Sequence, residues 1–386
     1  MPPDREPHLV VLDVGKTNLR LAALDEAGRV VSLRSRPNRV EPGPPYPHLD
    51  VEGCFEWLVA GLAEIAASGA VRAIVPVAHG AAAGLIASDS LALPVLDYEF
   101  EGPASLGPRY PRPPFAETLS PPLAGGLNLG RQLFWQREHF PDAWARVERA
   151  LPYAQYWAWR LSGVAASEIT SLGCHTDLWI PRRNVWSPLA AELGEALFPP
   201  LARAWDALGP LRPELRAKTG IDASCQVLAG IHDSNASFFV HRVARTGPFA
   251  VLSTGTWVVA MAHGGSLAGL CEERDTLANV DAFGAALPTA RFMGGREYAE
   301  RAREVGAEAA ARECAARAAD CLGWIDARGE LIIEGPFARN GAFCRRLAEL
   351  RPAQRLVRSH DDTGTLAGAL ALWRHGLSAV RRSLRG

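Results

Sequence analysis

Short apolar runs bounded by turn residues open the chain. His8–Leu12, Leu19–Leu24 and Arg29–Leu33 are separated by Asp13-Val14-Gly15-Lys16-Thr17-Asn18 and by Asp25-Glu26-Ala27-Gly28, which predicts a three-strand meander. The period then changes. Phe55, Leu58, Val59, Leu62 and Ile65 mark one helical face and predict a helix over Phe55–Ala66. Val71–Val77 reads as the next strand, and Leu85-Ile86 and Pro94–Tyr98 follow the turn His79–Gly84. This β-β-β-α-β order predicts an α/β protein with a mixed sheet. Pro103–Pro122 is proline-rich and predicts irregular chain.

Leu133–Ala150, Ala154–Leu161 and Leu189–Leu208 read as helices, the second stopped by Ser162-Gly163. Ser167–Trp179 is hydroxyl-rich, and suits either a polyol-facing segment or a loop with helix caps. Val227–Leu228 leads into Gly230-Ile231-His232-Asp233-Ser234. Phe249–Leu252 and Trp257–Met261 then flank Ser253-Thr254-Gly255-Thr256. Arg296–Leu322 predicts one long amphipathic helix, Leu331–Glu334 a strand, Gly341–Leu350 a helix and Arg355–Val357 a strand. Asp361-Asp362-Thr363-Gly364 is the expected cap of a last helix with Leu366, Leu370, Trp373 and Leu377 on its apolar face. Each half thus opens with a hairpin around a Gly/Thr turn, a repeat of architecture rather than of letters.

Composition narrows the partners. The 386 residues carry 41 basic and 42 acidic side chains, which indicates neither a nucleic-acid surface nor an acidic tail. Lys occurs only at Lys16 and Lys218; the other basic residues are Arg. The cysteines are scattered without a CxxC pair, as expected of reduced thiols in a cytoplasmic protein rather than a disulfide or zinc framework. The first residues lack the charged-then-apolar leader pattern, and no apolar run reaches the ~18 residues of a membrane span. No membrane and no nucleic-acid partner are therefore expected, and a homodimer is compatible with the composition.

Two loops carry candidate chemistry. Asp13 ends a buried-looking run, and buried carboxylates are paired, hydrogen-bonded or metal-associated. Gly15 beside it can take a positive φ and bring backbone amides to an anion. The GKT letters are not a P-loop, because the required first glycine falls at Val10 and a strand follows where a helix should. In the second half, Asp233 and the Ser253–Thr256 turn supply a carboxylate and a phosphate-type loop, as phosphoryl transfer requires. A helix cap and an ordinary hairpin account for the same letters taken singly.

In order along the chain, LDVGKTNLRLAAL, GIHDSNAS, VLSTGTWVVAM and IIEGPFARNGAF resemble the phosphate, catalytic-base, second phosphate and adenosine motifs of the FGGY carbohydrate kinases, rhamnulokinase-like branch. VAHGAAAGLI, PVLDYE, YAQYWAWRLSG and SLGCHTDLW resemble their sugar-domain segments. The resemblance implies two actin-like, ribonuclease-H-like α/β domains, 1–243 and 244–386, with the active site in the inter-domain cleft. It implies an ATP- and Mg²⁺-dependent transfer to a primary hydroxyl of a small sugar, a ketose of the rhamnulose, fuculose or pentulose kind. Asp233 would be the general base and Asp13 the metal ligand. Lys16, Thr17 and Asn18 beside Gly15 would meet the nucleotide phosphates, with Thr254, Gly255 and Thr256 opposite. Gly335 and Asn340 would lie near the adenosine, and His79, Gly80, Asp97 and His232 on the sugar side. The chain is shorter than the family's usual length, and its adenosine loop reads EGPFARN where a run of glycines is usual. A nucleotide-binding sugar sensor with weak or no transfer is the alternative.

Overall fold

The computed structural model describes residues 8–359 and 364–383. The chain begins with β1 (Leu9–Val14), β2 (Asn18–Leu24) and β3 (Val30–Pro37), followed by α1 (Val51–Ala66) and β4 (Ala73–Ala78). A long insertion follows. It contains β5 (Ala83–Ala87), β6 (Ser90–Leu93), α2 (Leu129–His139), β7 (Arg149–Pro152) and α3 (Tyr153–Ser162). The chain returns to the sheet with β8 (Ala207–Pro210), β9 (Gln226–Leu228) and the short β10 (Ile231–His232), and continues directly into α4 (Asp233–Ala244). The second half runs β11 (Phe249–Thr254), β12 (Val258–His263), β13 (Thr276–Val280), β14 (Ala286–Phe292), α5 (Gly294–Val305), α6 (Ala307–Trp324), β15 (Glu330–Glu334), α7 (Gly341–Leu350), β16 (Leu356–Arg358) and α8 (Gly364–Ser383).

The first sheet has the order β8-β9-β4-β1-β2-β3, with β10 also on β4; the second has the order β13-β14-β12-β11-β15-β16. In both, an antiparallel hairpin is flanked on its inner side by a parallel strand, β4 beside β1 and β15 beside β11. This is the architectural repeat expected from the two Gly/Thr turns.

Strand β1 is buried along its whole length, and side-chain alternation divides it between two cores. Val10, Leu12 and Val14 pack with α1 and α3, whereas Leu9 and Val11 pack with α4 and α8. In β11, Ala250 and Leu252 face α6 and α7, whereas Phe249 and Val251 meet Phe238 of α4. Helix α4 therefore lies between the sheets, with Ala236 and Phe239 in the first core and Phe238 in the second. The C-terminal α8 packs back onto the first sheet through Leu366, Ala369, Leu370, Leu372 and Trp373. It crosses α4 so closely that a Cβ at Gly368 would meet Ala236 O at 2.0 Å.

Several expected helices are shorter or broken. Leu133–Ala150 contains the end of α2, a short helix at Pro141–Trp144 and the start of β7. Leu189–Leu208 is α-helical only over Pro188–Leu193, with a 3-10 turn at Glu195–Leu197, because Gly194 takes φ 106° and Pro199-Pro200 follow. The long helix over Arg296–Leu322 is two, α5 and α6, broken at Gly306 with φ 87°. Strands β13 and β14 carried no expectation. The proline-rich stretch is largely irregular, as expected, with a 3-10 segment at Gly102–Arg109 and a short helix at Phe115–Thr118. On α8, Leu366, Leu370 and Trp373 are buried but Leu377 is exposed, and the expected cap at Asp361–Thr363 lies outside the described residues. No helix among the described residues is long and apolar enough to cross a membrane.

Candidate active site

The parity of β1 that sends Leu9 and Val11 toward α4 and α8 sends Asp13 the same way. Asp13 thus ends the strand at a cavity of about 290 Å³ between the sheets, lined also by Gly15, Thr17, Asn18 and Arg20 from the first hairpin. Helix α4 contributes Asp233, Ser234 and Ser237, β11 contributes Ser253, and α8 contributes Thr365. Arg20 is the register partner of Asp13, 3.9 Å from its carboxylate, and Thr365 donates a 3.1 Å hydrogen bond to Asp13 Oδ2. Burial and the nearby charge of Asp233 raise the Asp13 pKa to about 6, against the opposing pull of Arg20 and Thr365. A buried carboxylate with that deficit of positive charge is a fitting ligand for a cation. Among the described residues no group of three or more His, Cys, Asp or Glu forms a metal cage, so such a cation would need phosphate and water as its other ligands.

Asp233 is the first residue of α4 rather than part of a free loop. Its Oδ1 accepts from Ser234 N at 2.5 Å and Ser234 Oγ at 3.2 Å, and its carboxylate is about one-third exposed. A carboxylate at a helix N-terminus is held by the helix dipole and free amides, and here it remains open to the cavity. Gly15 does not take the left-handed conformation. Its need for glycine is steric, since a Cβ would meet Asn18 O at 3.0 Å.

Beside Asp233 lies the group expected on the sugar side. His232 Nε2 is 3.3 Å from Asp233 Oδ1 and 3.7 Å from Cys174 Sγ, and a Cβ on Gly80 would meet the same ring nitrogen at 3.0 Å. Burial disfavours charge on the imidazole, but Cys174 and Asp233 outweigh it and hold the His232 pKa above its ordinary value. His79 donates through Nδ1 to Gly80 O at 2.7 Å; its ring is 5.5 Å from Tyr98 and 4.9 Å from Tyr153. Among the described residues His79 Nε2, His232 Nδ1 and Glu168 Oε1 are buried and find no hydrogen-bond partner. Glu168 Oε2 accepts from Thr170 Oγ1 at 2.6 Å and Ser171 N at 3.1 Å, while burial pushes its pKa up to about 7. Asp97 lies in the same wall, bound to Lys16.

The second hairpin turn divides by the same alternation. Ser253 faces the cavity, whereas Thr254 points to the opposite face and is buried. Thr254 Oγ1 donates to Glu334 O and accepts from Phe337 N at 3.1 Å. Gly255 and Thr256 line a neighbouring cavity of about 430 Å³ with Gly295, Arg296, Tyr298, Pro336, Phe337 and Asn340. Phe337 stacks on Phe343 at 4.7 Å and takes Tyr298 edge-on at 5.2 Å, so aromatic side chains give this cavity an apolar wall. Asn340 also caps α7 by accepting from Phe343 N at 3.0 Å. Gly335 supports the wall, with φ 78° and Thr254 O only 1.9 Å from a would-be Cβ.

The sequence-predicted residues thus fall into three adjoining groups. Asp13, Gly15, Thr17, Asn18 and Asp233 meet in the central cavity. Gly255, Thr256 and Asn340 line the apolar one. His79, Gly80, Asp97 and His232 form the buried wall. Lys16 joins the wall, and Thr254 faces away from the cavity. Arg20, Ser237, Ser253, Thr365, Tyr98 and Glu168 were missed. Only Arg20 and Ser253 carried a local signal, being the strand partner of Asp13 and the cleft-facing neighbour of Thr254.

Two sheets of repeated topology sharing one cleft define a two-domain α/β protein of the actin-like ATPase fold. The xylulose kinase of Lactobacillus acidophilus superposes with a TM-score of 0.80 over 96% of this chain and 90% of that one, at 13% identity, and so testifies to the fold alone. A carbohydrate kinase from Novosphingobium aromaticivorans has a TM-score of 0.90 and 35% identity over 96% of this chain and 92% of that one. The profile of the carbohydrate kinase FGGY, C-terminal domain, matches residues 246–317 and 299–381. The chain belongs to the FGGY carbohydrate kinases. L-fuculokinase from Salmonella typhi is 28% identical over 283 residues, 67% of this chain and 57% of the relative. A xylulose kinase from Bacillus subtilis is 29% identical over 111 residues, 28% of this chain and 22% of the relative. The chain matches little more than half the length of the curated L-fuculokinases.

Proposed function

We propose that the protein is an ATP-dependent sugar kinase that phosphorylates a primary hydroxyl of a small ketose of the fuculose or xylulose kind. One observation carries this reading. Asp233, on the first turn of α4, faces Asp13 across a cavity that also holds Gly15, Thr17, Asn18 and Ser253 from the two hairpin turns. A base, a cation ligand and two phosphate-type turns converge on one volume. The ketose class rests on the names of the L-fuculokinase and xylulose kinase relatives.

In this reading Asp233 accepts the proton of the attacking hydroxyl as the new oxygen–phosphorus bond forms and the β–γ bridging bond of ATP breaks, releasing ADP. The backbone of Gly15 and the side chains of Thr17, Asn18 and Arg20 hold phosphate oxygens from one side, and Ser253, Gly255 and Thr256 from the other. The Phe337–Tyr298 wall receives the adenine. His232 orients Asp233, and His79, Asp97 and Glu168 bind sugar hydroxyls. Asp13 would hold Mg²⁺, which when bound neutralises charge on the nucleotide phosphates.

ADP release measured over a panel of ketoses, aldoses and polyols with ATP and Mg²⁺ tests the proposal, with turnover expected on L-fuculose or xylulose. Asp233→Asn is expected to lower kcat by about three orders of magnitude, the contribution of a positioned base, while ATP still binds. Near-wild-type turnover in that variant would remove Asp233 from the mechanism. ATP binding with no ADP formed on any sugar would make the protein a nucleotide-binding sensor instead.

A further inference from the structure

Lys16 sits in the middle of the first hairpin turn, yet its side chain leaves the central cavity. Its neighbours Gly15, Thr17 and Asn18 face that cavity. The Lys16 ammonium instead crosses to the segment after β6. There it donates to Asp97 Oδ1, lies 3.4 Å from Glu99 Oε2, and sits 4.8 Å over the ring of Tyr98. Asp97 Oδ1 also accepts from Glu99 N at 3.2 Å, so the tripeptide is folded around the cation. Tyr98 passes the contact on to His79, whose ring it meets edge-on at 5.5 Å. The side chains of Lys16 and Asp97 are only 16% and 8% exposed, so solvent screens this pair far less than a surface ion pair.

The residue type supports the same conclusion. In a chain of 41 basic residues only Lys16 and Lys218 are lysines, so arginine is the default cation. A gap closed by two carboxylates and one ring face suits a compact ammonium with three donors, and would not admit the longer planar fork of arginine without rearrangement.

We infer that Lys16 is a positioning residue for the sugar rather than a ligand of the nucleotide phosphates. It tethers Asp97-Tyr98-Glu99 to the phosphate-binding turn, and so fixes the Asp97 carboxylate and the Tyr98–His79 pair at the sugar subsite. The inference rests on the kinase reading for its sugar arm only. Loss of the Lys16 charge releases Asp97 and weakens sugar binding. The backbone of the turn, held by Gly15 N to Asn18 O at 3.0 Å, continues to hold phosphate.

Lys16→Met keeps the apolar stem against Tyr98 and removes the ammonium. With whichever of L-fuculose and D-xylulose the wild type turns over faster, the sugar KM is expected to rise about tenfold or more, the scale of one lost charged hydrogen bond. Two companion values should hold: kcat within about threefold and the calorimetric Kd for ADP with Mg²⁺ within about twofold. If Lys16 instead served the phosphates, ADP binding would weaken about tenfold with the sugar KM unchanged, and the inference would be overturned. Asp97→Asn provides the second arm. Because Lys16 acts through Asp97, K16M added to D97N should raise the sugar KM no further, whereas independent multiplication of the two effects would overturn the tether. If the wild type turns over neither sugar, the kinase reading fails separately. The ADP arm then decides the other half: unchanged affinity in K16M upholds the placement of Lys16 away from the nucleotide phosphates, and weakened affinity overturns it.

Discussion

The turns at Gly15–Thr17 and Gly255–Trp257 are built alike and placed in different company. Each closes an antiparallel hairpin with one short backbone bond, Gly15 N to Asn18 O at 3.0 Å and Gly255 N to Trp257 O at 2.9 Å. The first is surrounded by charge: Asp13 and Arg20 beneath it, Lys16 within it, Asp97 and Glu99 beside it. The second is held mainly by backbone contacts to neighbouring chain, with Arg291 5.0 Å over the Trp257 ring as the nearby charge. Thr254 bonds to the Glu334 carbonyl and the Phe337 amide, and Gly295 N donates to Thr256 O at 3.1 Å. A repeated hairpin is thus specialised by the chain next to it. The insertion and α4 bring carboxylates to the first turn, while the Gly335 loop and the start of α5 bring backbone to the second. The first turn supplies charge, and the second supplies shape.

That contrast predicts unequal responses to the smallest possible side chain. At Gly335 an added Cβ meets Thr254 O at 1.9 Å in a left-handed backbone of φ 78°. Backbone cannot move aside cheaply, so Gly335→Ala should cost about 3 kcal/mol or more and abolish nucleotide binding. At Gly15 the closest approach is 3.0 Å and the backbone is not left-handed. Gly15→Ala should cost about 1 kcal/mol, within reach of a small shift. Chemical denaturation of both variants checks this, and equal losses would erase the distinction between the turns.

Charge at the first turn has a different signature. The Asp13 pKa lies near 6, above its ordinary value, first because of burial and then because of Asp233. The folded chain therefore holds that proton more tightly than the unfolded chain. Ionised Asp13 costs stability above about pH 6, and the cost disappears as pH falls below about 4. Asp13→Asn should consequently stabilise the unliganded protein by about 2–3 kcal/mol at pH 7.5, with no gain at pH 4, while eliminating Mg²⁺-dependent turnover. Thermal unfolding at the two pH values measures the sign, and a variant less stable at pH 7.5 would show that Asp13 is already compensated in the free protein.

What the sequence disclosed followed the range of the forces involved. The hairpins were legible because strand period and turn residues are local, and so was Asp233 beside its apolar run. The helix assigned to Arg296–Leu322 failed at Gly306, whose φ of 87° breaks a pattern that apolar spacing alone carries straight through. Thr365 reaches Asp13 from 352 positions away through the return of α8, a contact that no local pattern announces. Lys16 meets Asp97 across 81 positions; its letter was conspicuous, but its direction belonged to the tertiary fold. Ser253 and Thr254 present the same difficulty one residue apart. Both carry hydroxyls, and only the parity of β11 against two cores decides which one faces the cavity.

That pair gives the finest test of how the second turn works. Thr254→Val keeps the shape and removes a hydroxyl that both donates to Glu334 O and serves as acceptor for Phe337 N. The two backbone groups lose a buried partner, at an expected cost of about 1–2 kcal/mol. Because Phe337 forms the apolar wall, the KM for ATP should rise about threefold to tenfold while the sugar KM stays within about twofold. Thr254→Ser restores the hydroxyl and should restore the KM for ATP. Ser253→Ala faces the cavity instead, and should leave stability within about 0.5 kcal/mol while altering turnover. If Ser253→Ala destabilised the fold and Thr254→Val left both stability and KM unchanged, the two side chains would have exchanged roles, and the second turn would act through its own hydroxyl as the first acts through its charges.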